Sequence, residues 1–409
     1  MRENKLGNNI GPKVNTDYAE KKAEIVSAID ALKPVVEDIA ESLYKNPELG
    51  LQEFYAAEKL TKLLAEHGFE IEREIAGLPT SFKAKSGDKR PKIAFLAEYD
   101  ALPGIGHGCG HNLIAASAIA AAIGIKQCLD PSDTDVSWIV LGTPAEETIG
   151  GKVVMAEAGV FSDIDAAFIA HPGQINSLGG SSWASHPIEI TFHGRSAHAG
   201  GNPQAGINAL DACVSAYTSI RMMKNQLRDD VRLAGIITHG GDAPNIVPER
   251  ATVRFTVRSK DSRYLEDVVL PKVKKCAQGA AQTVGATVEF RHYEPLFRET
   301  LEHPVLTSLA KMNFEYLGQQ LPHPDVEGGG GVTDVGSVTW HTPCIQISFG
   351  MTDARGHSKE MADDTITPRA IDATQMAAKV MALSAMELIY KPELLEDAKT
   401  YLKEKREGK

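Results

Sequence analysis

Apolar residues recur along the chain with two different spacings, which predict helices in some segments and strands in others. Helical spacing is found in the segments 17–43, 53–66, 113–128, 303–317 and 368–389. The mainly apolar segments 92–100, 136–142, 166–171 and 345–349 are predicted to be buried strands. Such alternation predicts a layered α/β sheet, in which ligands bind at the carboxyl ends of the strands.

The pattern changes near residue 184. The next hundred residues predict a strand–helix–strand–strand–helix–strand order over 187–193, 204–226, 232–239, 250–258, 261–284 and 286–293. This βαββαβ order is that of a ferredoxin-like unit. We therefore predict a discontinuous larger domain, 1–183 and 297–409, that is interrupted by a smaller domain at 184–296. The glycine-rich segment 328–331 is predicted to be a loop of the larger domain, and the lysine-rich C-terminus is predicted to be a frayed tail.

Charge and cysteine content narrow the class of protein. The 409 residues have a net charge of −11, which argues against nucleic acid as a partner. Five scattered cysteines, an odd number, do not predict a disulfide framework and favour a reducing compartment. The first residues lack the apolar core of a signal peptide, and no run reaches the ~18 apolar residues of a membrane span. These features predict a cytoplasmic protein with no membrane partner.

Two loops that follow predicted strands contain residues able to bind a metal ion. GHGCGHN places Cys109 and His111 two residues apart among glycines, just before a helix whose N-terminus favours a thiolate. GTPAEE ends in Glu146 and Glu147, and in a metal hydrolase one carboxylate binds the ion while the other takes a proton from water. Each pair also has an ordinary interpretation: a buried cysteine beside a loop histidine, and a solvated first helical turn.

Two further histidines also follow predicted strands. His171 ends the run 166–171, and His357 comes shortly after 345–349. If the strands are parallel, these side chains lie with the cysteine and carboxylates at one edge of the sheet. A set of thiolate, imidazole and carboxylate ligands suits zinc or manganese better than calcium or magnesium.

The smaller domain offers two candidates for substrate contact. His198 lies in the turn GRSAHAGGNP, and Asn245 lies in the loop GGDAPNIVPE. Glycine, proline and asparagine are also common in turns for backbone reasons alone. An imidazole and an amide can donate hydrogen bonds to the oxygen of a tetrahedral intermediate.

Several segments together resemble the aminoacylase and carboxypeptidase G family of two-metal amidohydrolases. They are similar to the branch of β-alanyl-lysine dipeptidase and p-aminobenzoyl-glutamate hydrolase. The segments are AEYDALPGIGHGCGHNLIAA (97–116), GTPAEE with GGK (150–152), SAHAGGNPQAGINALDA (196–212), PNIVP (244–248) and GGGGVTDVGSV (328–338). The resemblance runs from about residue 20 to about residue 390. It implies a catalytic α/β domain with an inserted ferredoxin-like lid that mediates dimerisation.

The resemblance also implies a role for each candidate residue. Two divalent metal ions, Zn²⁺ or Mn²⁺, would be held by Cys109, His111, Glu147, His171 and His357. Glu146 would be the general base, Asp100 would orient the site, His198 would act on the intermediate, and Asn245 would bind substrate. The family's first metal-binding histidine is replaced here by Glu98, so Cys109 is expected to take over its coordination.

We therefore predict metal-dependent hydrolysis of an amide bond in a small dipeptide or N-acyl amino acid, by a protein that forms a homodimer. Three substrate types stay open: dipeptides with a basic residue, aryl-acyl glutamates and other N-acyl amino acids. Two alternatives are a catalytically inactive metal-binding dimeric scaffold and a hydrolase in which Cys109 is the nucleophile.

Overall fold

The computed structural model describes residues 18–321 and 331–408. Its helices are α1 (Tyr18–Ala31), α2 (Lys33–Lys45), α3 (Phe54–Glu66), α4 (His111–Cys128), α5 (Gly151–Glu157), α6 (Ala209–Met223), α7 (Ser262–Tyr264), α8 (Leu270–Val284), α9 (Pro304–Tyr316), α10 (Val335–Thr339), α11 (Lys359–Asp364), α12 (Pro368–Tyr390) and α13 (Pro392–Arg406). Its strands are β1 (Glu70–Arg73), β2 (Phe82–Ser86), β3 (Lys92–Ala97), β4 (Ser137–Gly142), β5 (Ala166–Gly173), β6 (Ala184–Ser185), β7 (Ile188–His193), β8 (Arg232–His239), β9 (Arg250–Ser259), β10 (Thr287–Arg291) and β11 (Cys344–Gly350). A π-helical turn, Leu265–Val269, joins α7 to α8.

The larger sheet has the strand order β1-β2-β4-β3-β5-β11. Strands β4, β3, β5 and β11 run parallel. At one edge β2 pairs antiparallel with β4, and β1 pairs antiparallel with β2. Side chains of β3 alternate between two cores: Ile93 and Phe95 pack on one face, and Ala94 and Leu96 pack on the other. Because both faces are covered, the central strands are apolar throughout, as the sequence predicts.

The small side chains of α4 allow its neighbours to approach closely. A Cβ atom at Gly124 would lie 2.4 Å from the side chain of Ile29 in α1. The predicted helix 17–43 is in fact two helices, because Pro34 occupies the first turn of α2 and the chain bends at Leu32. Both helices still bury the predicted apolar face.

In the smaller sheet β10, β7 and β9 pair in that order, the short strand β6 also pairs with β9, and β8 pairs with β9 on its other side. This is the strand order of a ferredoxin-like unit, and α6 and α8 cover one face around a separate apolar core. The chain enters and leaves this unit side by side, since Ser185 and Phe297 exchange two backbone hydrogen bonds of 2.9 Å. The predicted α/β fold class is confirmed, and the domain limits at 183/184 and 296/297 stay predictions.

One prediction about the C-terminus is wrong. The segment expected to be a frayed tail forms α13, which buries Leu395, Ala398 and Leu402 on one face. The glycine-rich segment predicted at 328–331 lies outside the described residues except for Gly331. None of the helices in the described ranges is long and apolar enough to cross a membrane.

Candidate metal centre

The carboxyl ends of the four parallel strands bring the predicted ligands to one edge of the larger sheet. Ligand atoms of Cys109, His111 and His171 lie within 4.8 Å of one another, as do those of Cys109, Glu147 and His357. His111, Glu146 and Glu147 form a third such group. The predicted convergence is therefore found in the structure, because the strands that carry these residues are parallel.

His111 is the first residue of α4 and is fully buried. Its Nδ1 atom lies 2.9 Å from Oδ1 of Asp100, so Nδ1 carries the proton and donates it to the carboxylate. Nε2 is then a lone-pair donor, and among the described residues it has no hydrogen-bond partner. It lies 3.3 Å from Glu98 Oε2 and 4.0 Å from Glu147 Oε1. A buried nitrogen left in this way is typical of a metal ligand.

Asp100 connects two of the candidate ligands. Its Oδ1 contacts His111, and its Oδ2 accepts a 3.0 Å hydrogen bond from the backbone N–H of Glu147. Burial alone would raise the pKa of Asp100, but the His111 imidazole and this N–H hold the pKa below its usual range. The carboxylate is therefore kept charged and orients both neighbours.

Cys109 and His171 approach each other at the N-terminus of α4. The Cys109 Sγ and His171 Nε2 atoms are 3.4 Å apart, and His171 Nδ1 lies 2.8 Å from the carbonyl oxygen of Pro172. The carbonyl accepts the Nδ1 proton, which leaves Nε2 free to face the thiol. Gly110 is required between them, because its φ is +75° and a Cβ atom would lie 2.4 Å from Pro172.

The Cys109 thiol is not ionised by the protein alone. Burial raises its pKa to about 12, although His111 acts in the opposite direction. A coordinated cation deprotonates a thiol, so a metal ion would reverse this effect.

Glu147 and His357 form the more open side of the cluster. Glu147 Oε1 lies 3.4 Å from Nε2 of His357, whose side chain is 58% exposed. His357 has a left-handed backbone, with φ of +59°, and its N–H donates a 2.9 Å hydrogen bond to the Gly108 carbonyl. This hydrogen bond ties the loop after β11 to the loop that contains Cys109.

The donor set fits two transition-metal ions. Cys109 belongs to two of the groups, one with His111 and His171 and the other with Glu147 and His357. Buried atoms with no hydrogen-bond partner among the described residues include His111 Nε2 and Glu147 Oε1. Thiolate, imidazole and carboxylate donors together favour zinc or manganese over calcium.

A buried ion network that was not predicted lies beside the cluster. Lys152 Nζ lies 2.6 Å from Glu98 Oε1 and 2.7 Å from Asp334 Oδ1, and all three side chains are at most 1% exposed. The Lys152 N–H also donates to Asp334 Oδ2 at 3.0 Å. Glu98, which replaces the expected histidine, is thus paired with a lysine on one oxygen and faces His111 with the other.

Glu146 is influenced by the charges of this network and also belongs to one of the candidate donor groups. Burial raises its pKa well above the usual value, and the charges of Asp334 and Glu98 add to the effect. Lys152 and His111 act in the opposite direction. Its carboxylate is within reach of both His111 and Glu147.

His198 and Asn245 lie together on the smaller unit and belong to none of the donor groups formed by the described residues. The Ala199 N–H donates a 2.9 Å hydrogen bond to the Asn245 carbonyl, and the side chains of His198 and Asn245 are exposed. His198 Nδ1 accepts hydrogen bonds from Gly200 N–H at 3.2 Å and Gly201 N–H at 2.9 Å. Its proton is therefore on Nε2, the ring nitrogen that can donate a hydrogen bond.

An α/β sheet with candidate thiolate, imidazole and carboxylate ligands at the ends of its strands suits a metal-dependent hydrolase. The profile of peptidase family M20/M25/M40 matches residues 94–386, and the chain belongs to this family. It is a hydrolase that acts on amide bonds, as the named relatives do.

Two curated relatives and two solved structures illustrate the similarity. The chain is 34% identical over 402 residues to the Xaa-Arg dipeptidase of Mus musculus, covering 93% of this chain and 92% of the relative. It is 34% identical over 289 residues to one of the subunits of p-aminobenzoyl-glutamate hydrolase from Escherichia coli, covering 65% of this chain and 59% of the relative. The aminobenzoyl-glutamate utilization protein of Klebsiella pneumoniae shares the fold, with a TM-score of 0.67, 18% identity and coverage of 90% and 99%. So does a dinuclear metal-binding peptidase of Bacillus subtilis, with a TM-score of 0.63, 23% identity and coverage of 86% and 98%.

Proposed function

We propose that the protein cuts the amide bond of a dipeptide or N-acyl amino acid at this cluster, with Glu146 as the general base. In this proposal two divalent cations, zinc or manganese, are held by Cys109, His111, Glu147, His171 and His357. The observation that carries the proposal is the overlap of the donor groups, since Cys109 belongs to two groups and Glu146 belongs to a third. A carboxylate beside such a centre is placed to move a proton.

The bound cations would supply Lewis acidity, which polarises the amide carbonyl and lowers the pKa of water. Glu146 accepts the proton of the attacking water on its carboxylate and then donates it to the leaving nitrogen, whose bond to carbon breaks. Asp100 keeps His111 in the tautomer whose Nε2 has a free lone pair. The buried Lys152 balances the charge of Glu98 beside the ligands.

In this proposal His198 donates a hydrogen bond from Nε2 to the oxyanion of the tetrahedral intermediate, and Asn245 holds the substrate. Both residues are exposed on the smaller unit, and we propose that they serve the site of a second copy in a homodimer. The edge strand β8 and helix α6 support such an interface, because Ile236 and Met222 are 66% and 62% exposed there.

The preferred substrate we propose is a dipeptide with a basic C-terminal residue. The support is the similarity to Xaa-Arg dipeptidase, which extends over 92% of that relative, against 59% of the aminobenzoyl-glutamate hydrolase subunit. Aryl-acyl glutamates and other N-acyl amino acids are the alternatives that the experiment below separates.

The test is a reconstitution assay. The protein is stripped with a chelator, reloaded separately with zinc, manganese and cobalt, and assayed for release of free amino acid. Substrates are β-alanyl-lysine, β-alanyl-arginine, p-aminobenzoyl-glutamate and a series of N-acetyl amino acids. The proposal expects metal-restored turnover that is fastest with the basic dipeptides. Turnover that survives complete metal removal, and that thiol alkylation abolishes, would instead support a Cys109 nucleophile.

A further inference from the structure

The turn that carries Glu146 has a strained backbone. Ala145, which precedes Glu146 after the end of β4, has a left-handed φ of +62° and is fully buried. For a residue with a Cβ atom this conformation is unfavourable, because the Cβ atom crowds the following carbonyl oxygen. Such a conformation persists only where the surrounding structure holds it.

A buried carboxylate from outside the turn, that of Glu53, contacts the backbone of Ala145. Glu53 is 0% exposed, and its Oε1 accepts a 2.8 Å hydrogen bond from the N–H of Ala145. Its Oε2 accepts a 2.6 Å hydrogen bond from the hydroxyl of Thr80. Thr80 is held in turn, because the Tyr99 hydroxyl donates to its carbonyl at 2.7 Å. Each oxygen of Glu53 therefore has one fixed partner.

The segment that contains Glu53 contacts the turn of Glu146 and also the residue that follows Asp100. A Cβ atom at Gly50 would lie 3.0 Å from Cα of Ala145 and 2.4 Å from Oγ1 of Thr148. The Ala101 N–H, next to Asp100, donates a 2.8 Å hydrogen bond to the carbonyl of Glu48. The segment 48–53 thus lies against the Glu146 turn and against the residue after Asp100.

We propose that Glu53 is a positioning residue for catalysis: its carboxylate holds Ala145 in the left-handed conformation that directs Glu146 into the metal centre. The inference rests on the proposed role of Glu146 as the general base. A hydrogen bond from an amide to a carboxylate is about twice as strong as one between neutral groups, so it can offset the backbone strain. The two carboxylate oxygens of Glu53 accept from the Thr80 hydroxyl and from the Ala145 N–H, and the Ala145 contact is the one that reaches the Glu146 turn.

The test is a double-mutant cycle between Glu53→Ala and Ala145→Gly. In the wild-type background, Glu53→Ala is expected to lower kcat roughly 10–100-fold, while KM and the number of bound metal ions stay unchanged. In the Ala145→Gly background the same change is expected to lower kcat several-fold less, because glycine adopts φ of +62° without a steric penalty. Glu53→Gln keeps an oxygen for Ala145 and an NH₂ for Thr80, so it should retain most of the turnover that Glu53→Ala loses.

Thr80→Val is the matched control, because it removes the other hydrogen bond of Glu53 and leaves the Ala145 contact in place. An equal fall of kcat in both backgrounds, or a loss of bound metal in Glu53→Ala, would overturn the proposal. Amide hydrogen exchange over residues 143–148 gives a readout that needs no substrate. Exchange should become faster in Glu53→Ala but not in Glu53→Gln; unchanged exchange would also overturn the proposal. If the wild-type protein cuts no substrate but exchange responds as expected, the proposed function fails and the positioning contact stands.

Discussion

His111 Nδ1 lies 2.9 Å from Oδ1 of Asp100, while Oδ2 of the same carboxylate accepts the N–H of Glu147 at 3.0 Å. One buried side chain therefore sets the tautomer of one predicted ligand and the backbone position of another. Since Asp100 is 1% exposed, water does not compete for either contact. Asp100 therefore aligns two members of the cluster at once.

Replacing Asp100 by asparagine is expected to weaken metal binding about 10–100-fold. The asparagine amide has a single acceptor oxygen and no negative charge, so it cannot accept both hydrogen bonds that Asp100 accepts. The measurement is a titration of metal-free protein with zinc in competition with a chelating dye. Asp88→Asn is the matched control, since it makes the same chemical change on an exposed residue that pairs with Lys85. Equal zinc affinity in Asp100→Asn and Asp88→Asn would contradict this role.

Lys152→Met is expected to reduce the free energy of unfolding by about 3–5 kcal/mol, because it leaves two buried carboxylates without their counter-charge. The two carboxylates are Glu98 and Asp334. Urea unfolding monitored by circular dichroism gives the value. Lys59→Met serves as the comparison, since Lys59 pairs at 2.6 Å with Asp38, which is 64% exposed, and a surface ion pair contributes little. Similar losses in the two variants would show that the buried network is not important for stability.

Thermal stability is expected to fall as the pH is lowered from about 6.5 to about 4, partly through His186. Its ring stacks on that of His292, with centroids 3.7 Å apart, where the chain enters and leaves the smaller unit. Burial lowers the pKa of His186 to about 4, and the charges of His292, Lys274 and Arg298 add to the effect. The unfolded chain then binds more protons than the folded one across this pH range, so acidification favours unfolding.

The corresponding measurement is the Tm of wild type and His186→Asn at several pH values. Between neutral and acid pH, the Tm of His186→Asn is expected to fall by less than the Tm of wild type. Parallel curves for the two proteins would mean that this histidine pair does not contribute.

The proposed homodimer predicts complementation between two inactive variants. His198→Ala and Glu146→Gln are made in separate chains. If His198 serves the partner's centre, a mixed dimer contains one complete site, formed by Glu146 of the first chain and His198 of the second. After unfolding and refolding of an equimolar mixture, turnover should return to about a quarter of the wild-type value, because half of the dimers are mixed and each has one working site. Activity no higher than that of the separate variants would place His198 in its own chain's site or outside the reaction.

Much of the candidate metal centre could be predicted from the sequence because its predicted ligands follow buried strands. The apolar segments that form β3, β4, β5 and β11 predicted buried strands of an α/β sheet. The expected convergence of the residues after them depended on these strands being parallel, as they are in the structure. Cys109, His111 and His171 came together for this reason. Local spacing was sufficient, since each ligand needed only to lie at the end of its own strand.

Contacts between distant segments could not be predicted in the same way. Lys152 and Asp334 are separated by 182 positions, and no pattern around either residue indicates that both are buried. Glu53 looks like an ordinary residue at the start of a helix until the turn at Ala145 is seen. The helix α13 was not predicted because most of its residues are charged or polar and only three apolar positions on one face are buried. Such features depend on which distant segments pack together in the fold, and a single sequence does not specify this directly.

The most direct test of the account compares wild type and Glu146→Gln for both bound metal and turnover of a basic dipeptide. Two ions per chain are expected in each protein, with kcat lower by about 10²–10⁴-fold in Glu146→Gln. Glutamine cannot take a proton from water, yet it leaves the five predicted ligands in place. Substantial turnover in Glu146→Gln, or in wild type after complete removal of metal, would contradict the account.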